Sequence, residues 1–108
     1  MSAVEIENVM LMHPDVLEAA AIGVPDAVRG QVVKAFVVTN RPAGQHQALA
    51  LEIQELVKTK LSQHEYPRHV AAVSELPKTP AGKVHRKVLR ERELADRDRD
   101  EHAAFATA

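Results

Sequence analysis

QVVKAFVVT, residues 31–39, decides the fold of this chain. Its valines and phenylalanine favour a pleated backbone, and its nearly continuous apolar character predicts a strand covered on both faces, at the centre of a sheet. Working back toward the N-terminus, VLEAAAIGV (residues 16–24) is short and runs into the turn signal Pro25-Asp26, so it reads as a second strand despite its alanines. Before it, Ser2 and Glu5 form an S-x-x-E capping box, and Ile6, Val9, Met10 and His13 follow at helical spacing until Pro14 stops the helix.

Working forward, Arg41-Pro42-Ala43-Gly44 is a loop, and Leu49, Ile53, Leu56, Val57 and Leu61 mark the apolar stripe of an amphipathic helix. Tyr66-Pro67-Arg68 breaks that period. HVAAVSEL, residues 69–76, then reads as a third strand, followed by the loop 77–83 and renewed helical spacing at Val84, Val88, Leu89 and Leu94. The expected fold is α+β, a small domain with a three-stranded sheet flanked by helices. One domain is expected over residues 1–95, with a charged, disordered tail over residues 96–108.

Composition narrows the function classes. At 108 residues the chain forms one modest core, and with 45% apolar but only 3% aromatic residues that core is built from small side chains, unsuited to a deep pocket. The chain has no cysteine, which removes disulfides, thiolate nucleophiles and cysteine metal sites together and fits a cytoplasmic, reducing location. No window approaches the roughly 20 apolar residues of a membrane span, so no membrane partner is expected. Its net charge of −1 conceals a local excess: Lys78, Lys83, Arg86, Lys87, Arg90 and Arg92 stand against Glu91 alone. On a neutral domain such a cluster points to a discrete anionic ligand.

That cluster surrounds LPKTPAGKVHRKVLR, residues 76–90, where two prolines and a glycine stiffen the backbone before Lys83. A lysine stays cationic at neutral pH, poor as a base and good as a fixed charge. From the residues alone, Lys83 is open to three readings: a solvated surface charge, a phosphate clamp, or a catalytic group. The G-x-x-x-x-G-K-[ST] spacing of a phosphate-binding P-loop is absent. Six histidines stand at 13, 46, 64, 69, 85 and 102 without metal-ligand spacing, so no metal site is expected and they read as satisfied or solvated side chains. With one tyrosine, two phenylalanines and no tryptophan there is no stacking platform, and no nucleic-acid partner is expected.

The same stretch resembles the last core motif of the adenylate-forming, AMP-binding enzymes, the superfamily of acyl-CoA synthetases, aryl-CoA ligases, peptide-synthetase adenylation domains and beetle luciferases. VEIENVMLMHPDVLEAAAIGVPDAVRGQVVKAFVV is similar to the earlier part of their C-terminal domain, and the two stretches together cover about residues 4 to 92 in the family's order. PD-x-x-RGQ-VVKAFVV and Tyr66-Pro67-Arg68 most resemble medium-chain acyl-CoA synthetases and benzoate-type CoA ligases; peptide-synthetase domains share GKV-x-RK but match poorly through EYPRHV.

This resemblance implies a reaction in two steps. A carboxylate attacks the α-phosphate of ATP to give an acyl-adenylate and pyrophosphate, and the thiol of CoA then displaces AMP. It implies that Lys83 enters the adenylation site, and that Arg29, Lys58, Tyr66, Pro67 and Arg68 belong to a separate face that meets the phosphates of CoA. ATP and CoA are the implied substrates, together with a small-molecule carboxylic acid; Mg is expected with ATP but not bound by this domain. The implied partner is a large N-terminal AMP-binding domain, joined through a hinge just before Val4, without which the residues here are expected to be inactive. The alternatives are a stand-alone regulatory or binding module of the same fold, and an adenylation-domain fragment of a peptide synthetase.

Overall fold

The computed structural model describes the backbone of residues 2–62 and 65–107, with side chains as far as residue 96. Its elements run α1 (Ala3–Met10), β1 (Val16–Asp26), β2 (Gly30–Thr39), a 3-10 turn (Ala43–Gln45), α2 (His46–Lys60), β3 (His69–Ala72) and α3 (Arg86–Thr107). The sheet order is β1-β2-β3, antiparallel on one side of β2 and parallel on the other, so residues 31–39 lie at the centre as their composition predicts. The parallel pair needs a crossover, and α2 supplies it.

The side-chain alternation of β1 and β2 divides the core in two. Ala19, Ala21, Val33, Ala35 and Val37 face α1 and α2, where they meet Ile6, Val9, Met10, Leu49, Ile53 and Val57. On the opposite face Ala20, Ile22, Val24, Val32 and Phe36 pack with Leu76 and Leu89. Both faces are therefore dry, which explains the uninterrupted apolar run that reads as strand. Small residues on the middle of β1 let the helices approach closely, and α3 lies across the second face. Lys34, in register with Val32 and Phe36, bonds Glu93 of α3 at 2.7 Å, so that its charge is paired where the sheet is covered.

Several boundaries differ from expectation, each for a local reason. α1 ends at Met10 rather than at Pro14, because the bonds from Met12 N to Val9 O and from His13 N to Met10 O already follow the tighter 3-10 pattern. The residue before a proline is also disfavoured in the helical region. β3 ends at Ala72, not Leu76: Val73 N makes the last bond to β2, at Val37 O, and Leu76 turns inward to the second core. The backbone of α3 runs from Arg86 to Thr107. Alanine, arginine and glutamate are good helix formers and propagate a helix already nucleated on the packed Leu89.

Candidate functional site

The loop after β3 folds back as a small hairpin. Lys78 and Val84 form an antiparallel bridge, His85 N donates to Pro77 O at 2.8 Å, and Thr79 N donates to Lys83 O at 2.7 Å. Within it Gly82 N bonds Thr79 O at 2.9 Å, and Gly82 has φ +83. Among the described residues no non-glycine has positive φ, so Pro80 and Ala81 form a type I turn and Gly82 supplies the left-handed residue that returns the chain. The Thr79 hydroxyl accepts from Lys83 N at 3.3 Å. Nearly every torsion that could move Lys83 as a whole is thus fixed, while its side chain is exposed and has no hydrogen-bond or ion-pair partner among the described residues.

At the feet of this hairpin stand two ion pairs. Lys78 Nζ meets Glu18 at 2.6 Å, both half-exposed, and Arg86, the first residue of α3, grips the buried carboxylate of Glu7 through Nε at 3.0 Å and through Nη2. The Glu7 carboxylate beside it holds the Arg86 guanidinium more firmly in its charged form than usual, against a smaller opposing effect of burial.

A second group of cations lies at the other end of the sheet, where β1 turns into β2. Gly30 has φ +80, and Asp26 Oδ2 accepts from Arg29 N at 2.8 Å and Val28 N at 3.2 Å, an Asx turn that fixes the loop. The bond from Arg29 N is the main reason the Asp26 carboxyl is held below its ordinary pKa; partial desolvation opposes it, and the charges of Arg29 and Arg68 assist it. Arg29 Nη1 stands 4.0 Å from that carboxylate. Arg68 directly precedes β3, its N–H bonded to Val33 O, and its guanidinium lies 4.9 Å from the Tyr66 ring centre, while Lys58 Nζ lies 4.3 Å from the same centre. Lys58 and Arg68 therefore meet on the Tyr66 ring and Arg29 on Asp26, and the charge of Arg68 is felt at that carboxylate. Pro67 is buried and its carbonyl accepts from Gln54 Nε2 at 3.0 Å, so it fixes the turn that presents Tyr66 and Arg68 rather than offering a contact itself.

About 26 Å of β1 separates Glu18, at the hairpin's foot, from Asp26, at a rise of about 3.3 Å per residue. The two cationic groups cannot serve one small ligand at once from such a distance.

The AMP-binding enzyme C-terminal domain family matches residues 5–83. This chain belongs to that family. It is 49% identical over 92 residues to the mitochondrial acyl-coenzyme A synthetase ACSM5 of Mus musculus, covering 83% of this chain and 16% of the relative. Among solved structures, an acyl-CoA synthetase of Brucella canis superposes with a TM-score of 0.83 at 43% identity, over 90% of this chain and 18% of that one. A benzoate CoA ligase of Burkholderia xenovorans gives 0.72 at 43% identity, over 83% of this chain and 18% of that one. The chain thus spans about a sixth of the length of the relatives it matches.

Within this AMP-binding enzyme C-terminal domain, the five residues expected to meet CoA share one end of the sheet, and Lys83 stands apart from them. Sequence reasoning missed Asp26, Thr79 and Glu7, and placed Arg86 only within the general basic cluster. Asp26 carried a signal, since an aspartate three residues before an arginine in a Pro-Asp turn is an Asx-turn pattern. Glu7 carried a fainter one: it stands only about 60° around the helix from Met10, on the flank of the apolar stripe. Of the histidines, His13 bonds Glu52 at 2.8 Å and accepts from Asp15 N, His46 bonds Arg41 O, and His85 Nδ1 accepts from Val88 N. His64 lies outside the described residues, and those described hold no group of three metal-ligating side chains.

Proposed function

We propose that this domain completes the active site of an ATP-dependent acyl-CoA synthetase, joined to a large AMP-binding domain, and that it uses its two ends in turn. In the first step Lys83 places its ammonium between the carboxylate oxygen and the α-phosphate, stabilising charge that develops as the new P–O bond forms and pyrophosphate leaves. A cation that is never neutral at pH 7 suits positioning, not proton transfer. In the second step the CoA sulfur attacks the acyl carbon and AMP departs, while Arg29, Lys58 and Arg68 hold the CoA phosphates, the arginines in bidentate fashion. Mg accompanies ATP in this proposal and is held by groups outside this domain. The cytoplasmic location remains part of the proposal and rests on the lack of cysteine.

The observation that carries this reading is the contrast in Lys83's surroundings: an unpartnered ammonium on a hairpin whose backbone is closed by its own bonds. A charge meant only for solubility needs no such preparation, and fixing the backbone in advance reduces the entropy lost on engagement. The test is to replace the corresponding domain of the Brucella canis synthetase with this chain, then to measure acid-dependent ATP–pyrophosphate exchange and, from preformed acyl-adenylate, thioester formation. Lys83→Ala should lower exchange about 1,000-fold and leave thioester formation within about twofold. Arg29→Ala with Arg68→Ala should do the reverse, raising the KM for CoA by about tenfold or more. Undiminished exchange in Lys83→Ala would sink the assignment.

A further inference from the structure

Glu7 is an acid on the first helix that the reaction, as described, does not use. It is only 8% exposed, and its carboxylate collects hydrogen bonds from two other elements. Oε2 accepts from Ala21 N at 2.9 Å and from Arg86 Nε at 3.0 Å, while Oε1 accepts from Arg86 Nη2. Ala21 lies in β1, whose other side is already paired with β2, so this N–H belongs to the outer edge of the sheet. Glu7 thereby ties α1 to the rim of the sheet and presents a fixed anion to the start of α3.

What that anion fixes is the foot of the Lys83 hairpin. Arg86 stands three residues beyond Lys83, and between them His85 N is bonded to Pro77 O and Val84 is bridged to Lys78. The other ionic attachment, Lys78 to Glu18, is half-exposed, where solvent and salt weaken such a pair. The Arg86–Glu7 pair is bidentate and its acid is buried, so it constrains direction as well as distance. Leu76, Val84 and Leu89 set how deep the hairpin's base sits, but apolar contacts do not specify orientation as a two-pronged ion pair does.

We infer that Glu7 is a positioning residue for adenylation, acting through Arg86 to aim the hairpin that carries Lys83. The inference rests on the reading of Lys83 given above. It requires that loss of the pair affect one half-reaction and not the other, because the cations that meet CoA stand at the far end of the sheet and share no contact with Glu7.

The same domain-exchanged synthetase tests it. Glu7→Gln, which keeps an acceptor for Ala21 N, should lower kcat for pyrophosphate exchange up to about 100-fold, the cost of a misplacement near 1 Å, with KM for ATP and acid within about twofold. Thioester formation from preformed adenylate should stay within about twofold. Arg86→Lys, which keeps charge but loses the fork, should show the same split with a smaller loss, and it serves if Glu7→Gln does not fold. Glu7→Gln combined with Arg86→Gln should lose no more than the worse single change, since both act through one contact. Glu93→Gln, which removes an equally buried acid from α3 away from the hairpin, should leave both half-reactions alone. Equal loss in both half-reactions, no loss in either, or losses that multiply in the double variant would overturn the inference. Lys83→Ala in the same background separates the two ideas: if it leaves exchange intact, the Lys83 reading falls, whereas a dead Lys83→Ala beside a fully active Glu7→Gln removes only the positioning role.

Discussion

The turns at residues 26–30 and 79–83 are built alike and charged differently. Each carries one glycine in the left-handed region, Gly30 at the last position of the first and Gly82 at the last but one of the second, and in each the first side chain accepts a backbone N–H, from Arg29 three residues on or from Lys83 four residues on. In the first that side chain is the carboxylate of Asp26, which faces Arg29 at 4.0 Å and lies within the field of Arg68. In the second it is the hydroxyl of Thr79, and Lys83 has no ion-pair partner among the described residues. The same backbone solution therefore delivers a buffered cationic cluster at one end of the sheet and a bare ammonium at the other. In the proposed roles, a cluster that binds and releases a phosphate-bearing thiol would benefit from a resident anion that competes with it, and a charge that meets a developing anion in a single geometry would not.

Exchanging these cap residues puts the comparison at risk. In the domain-exchanged synthetase, Thr79→Asp should preserve the turn, because aspartate can accept the same Lys83 N–H, yet place a carboxylate beside the lysine. Pyrophosphate exchange should fall about tenfold, the equivalent of about 1.4 kcal/mol, with thermal stability unchanged. Unchanged exchange would mean that the neutrality of this cap has no functional meaning. A smaller effect is expected at the other end. Asp26→Asn keeps the acceptor for Arg29 N and removes the charge, so the KM for CoA should drop about threefold and become more sensitive to salt; a rise in KM would show that Asp26 aids rather than competes.

The smallest effect concerns stability, at the end of the sheet that carries the hairpin. Arg41 reaches Asp15 at 2.6 Å and both oxygens of Glu52 at 2.8 and 2.9 Å, and His13 also bonds Glu52. The Arg41 bonds, then the His13 bond, lower the Glu52 pKa from 4.5 to about 2 against a partial desolvation. A carboxyl whose folded pKa lies below its unfolded one adds stability above the unfolded value and loses it as pH falls through the folded value. Stability should therefore decline between about pH 4.5 and 2, and Glu52→Gln should flatten that decline in acid titrations followed by circular dichroism. An unaltered profile would show that this network is not held in solution.

Features set by neighbours in sequence were legible, and those set by distant partners were not. The centre of the sheet could be read from residues 31–39 because burial on both faces leaves Lys34 as the only polar residue between Val32 and Val38, and the capping bond from Glu5 N to Ser2 Oγ, 3.3 Å, follows from a four-residue motif. The stiff turn before Lys83 could be read because the residues that shape it, Thr79 to Gly82, are contiguous in sequence. Glu7 could not, since Arg86 is 79 residues away and an acid on an amphipathic helix ordinarily faces solvent. The early end of β3 was hidden for a similar reason: HVAAVSEL has strand character throughout, but pairing stops with the bond to Val37. Pro67 shows the limit within a motif, because spacing places it beside Tyr66 and Arg68 but does not reveal that it is buried.

The bond from Ala21 N to Glu7 has one more consequence. An edge strand eleven residues long, with apolar residues on both faces, is a template on which a second chain can add its own strand and begin an aggregate. In this domain the middle rung of that edge is already occupied by a carboxylate, with a guanidinium behind it, and Pro25 removes another donor near its end. The contact proposed to aim the hairpin thus also occupies a backbone donor on the open edge of the sheet, which leaves an added strand one fewer rung to pair with.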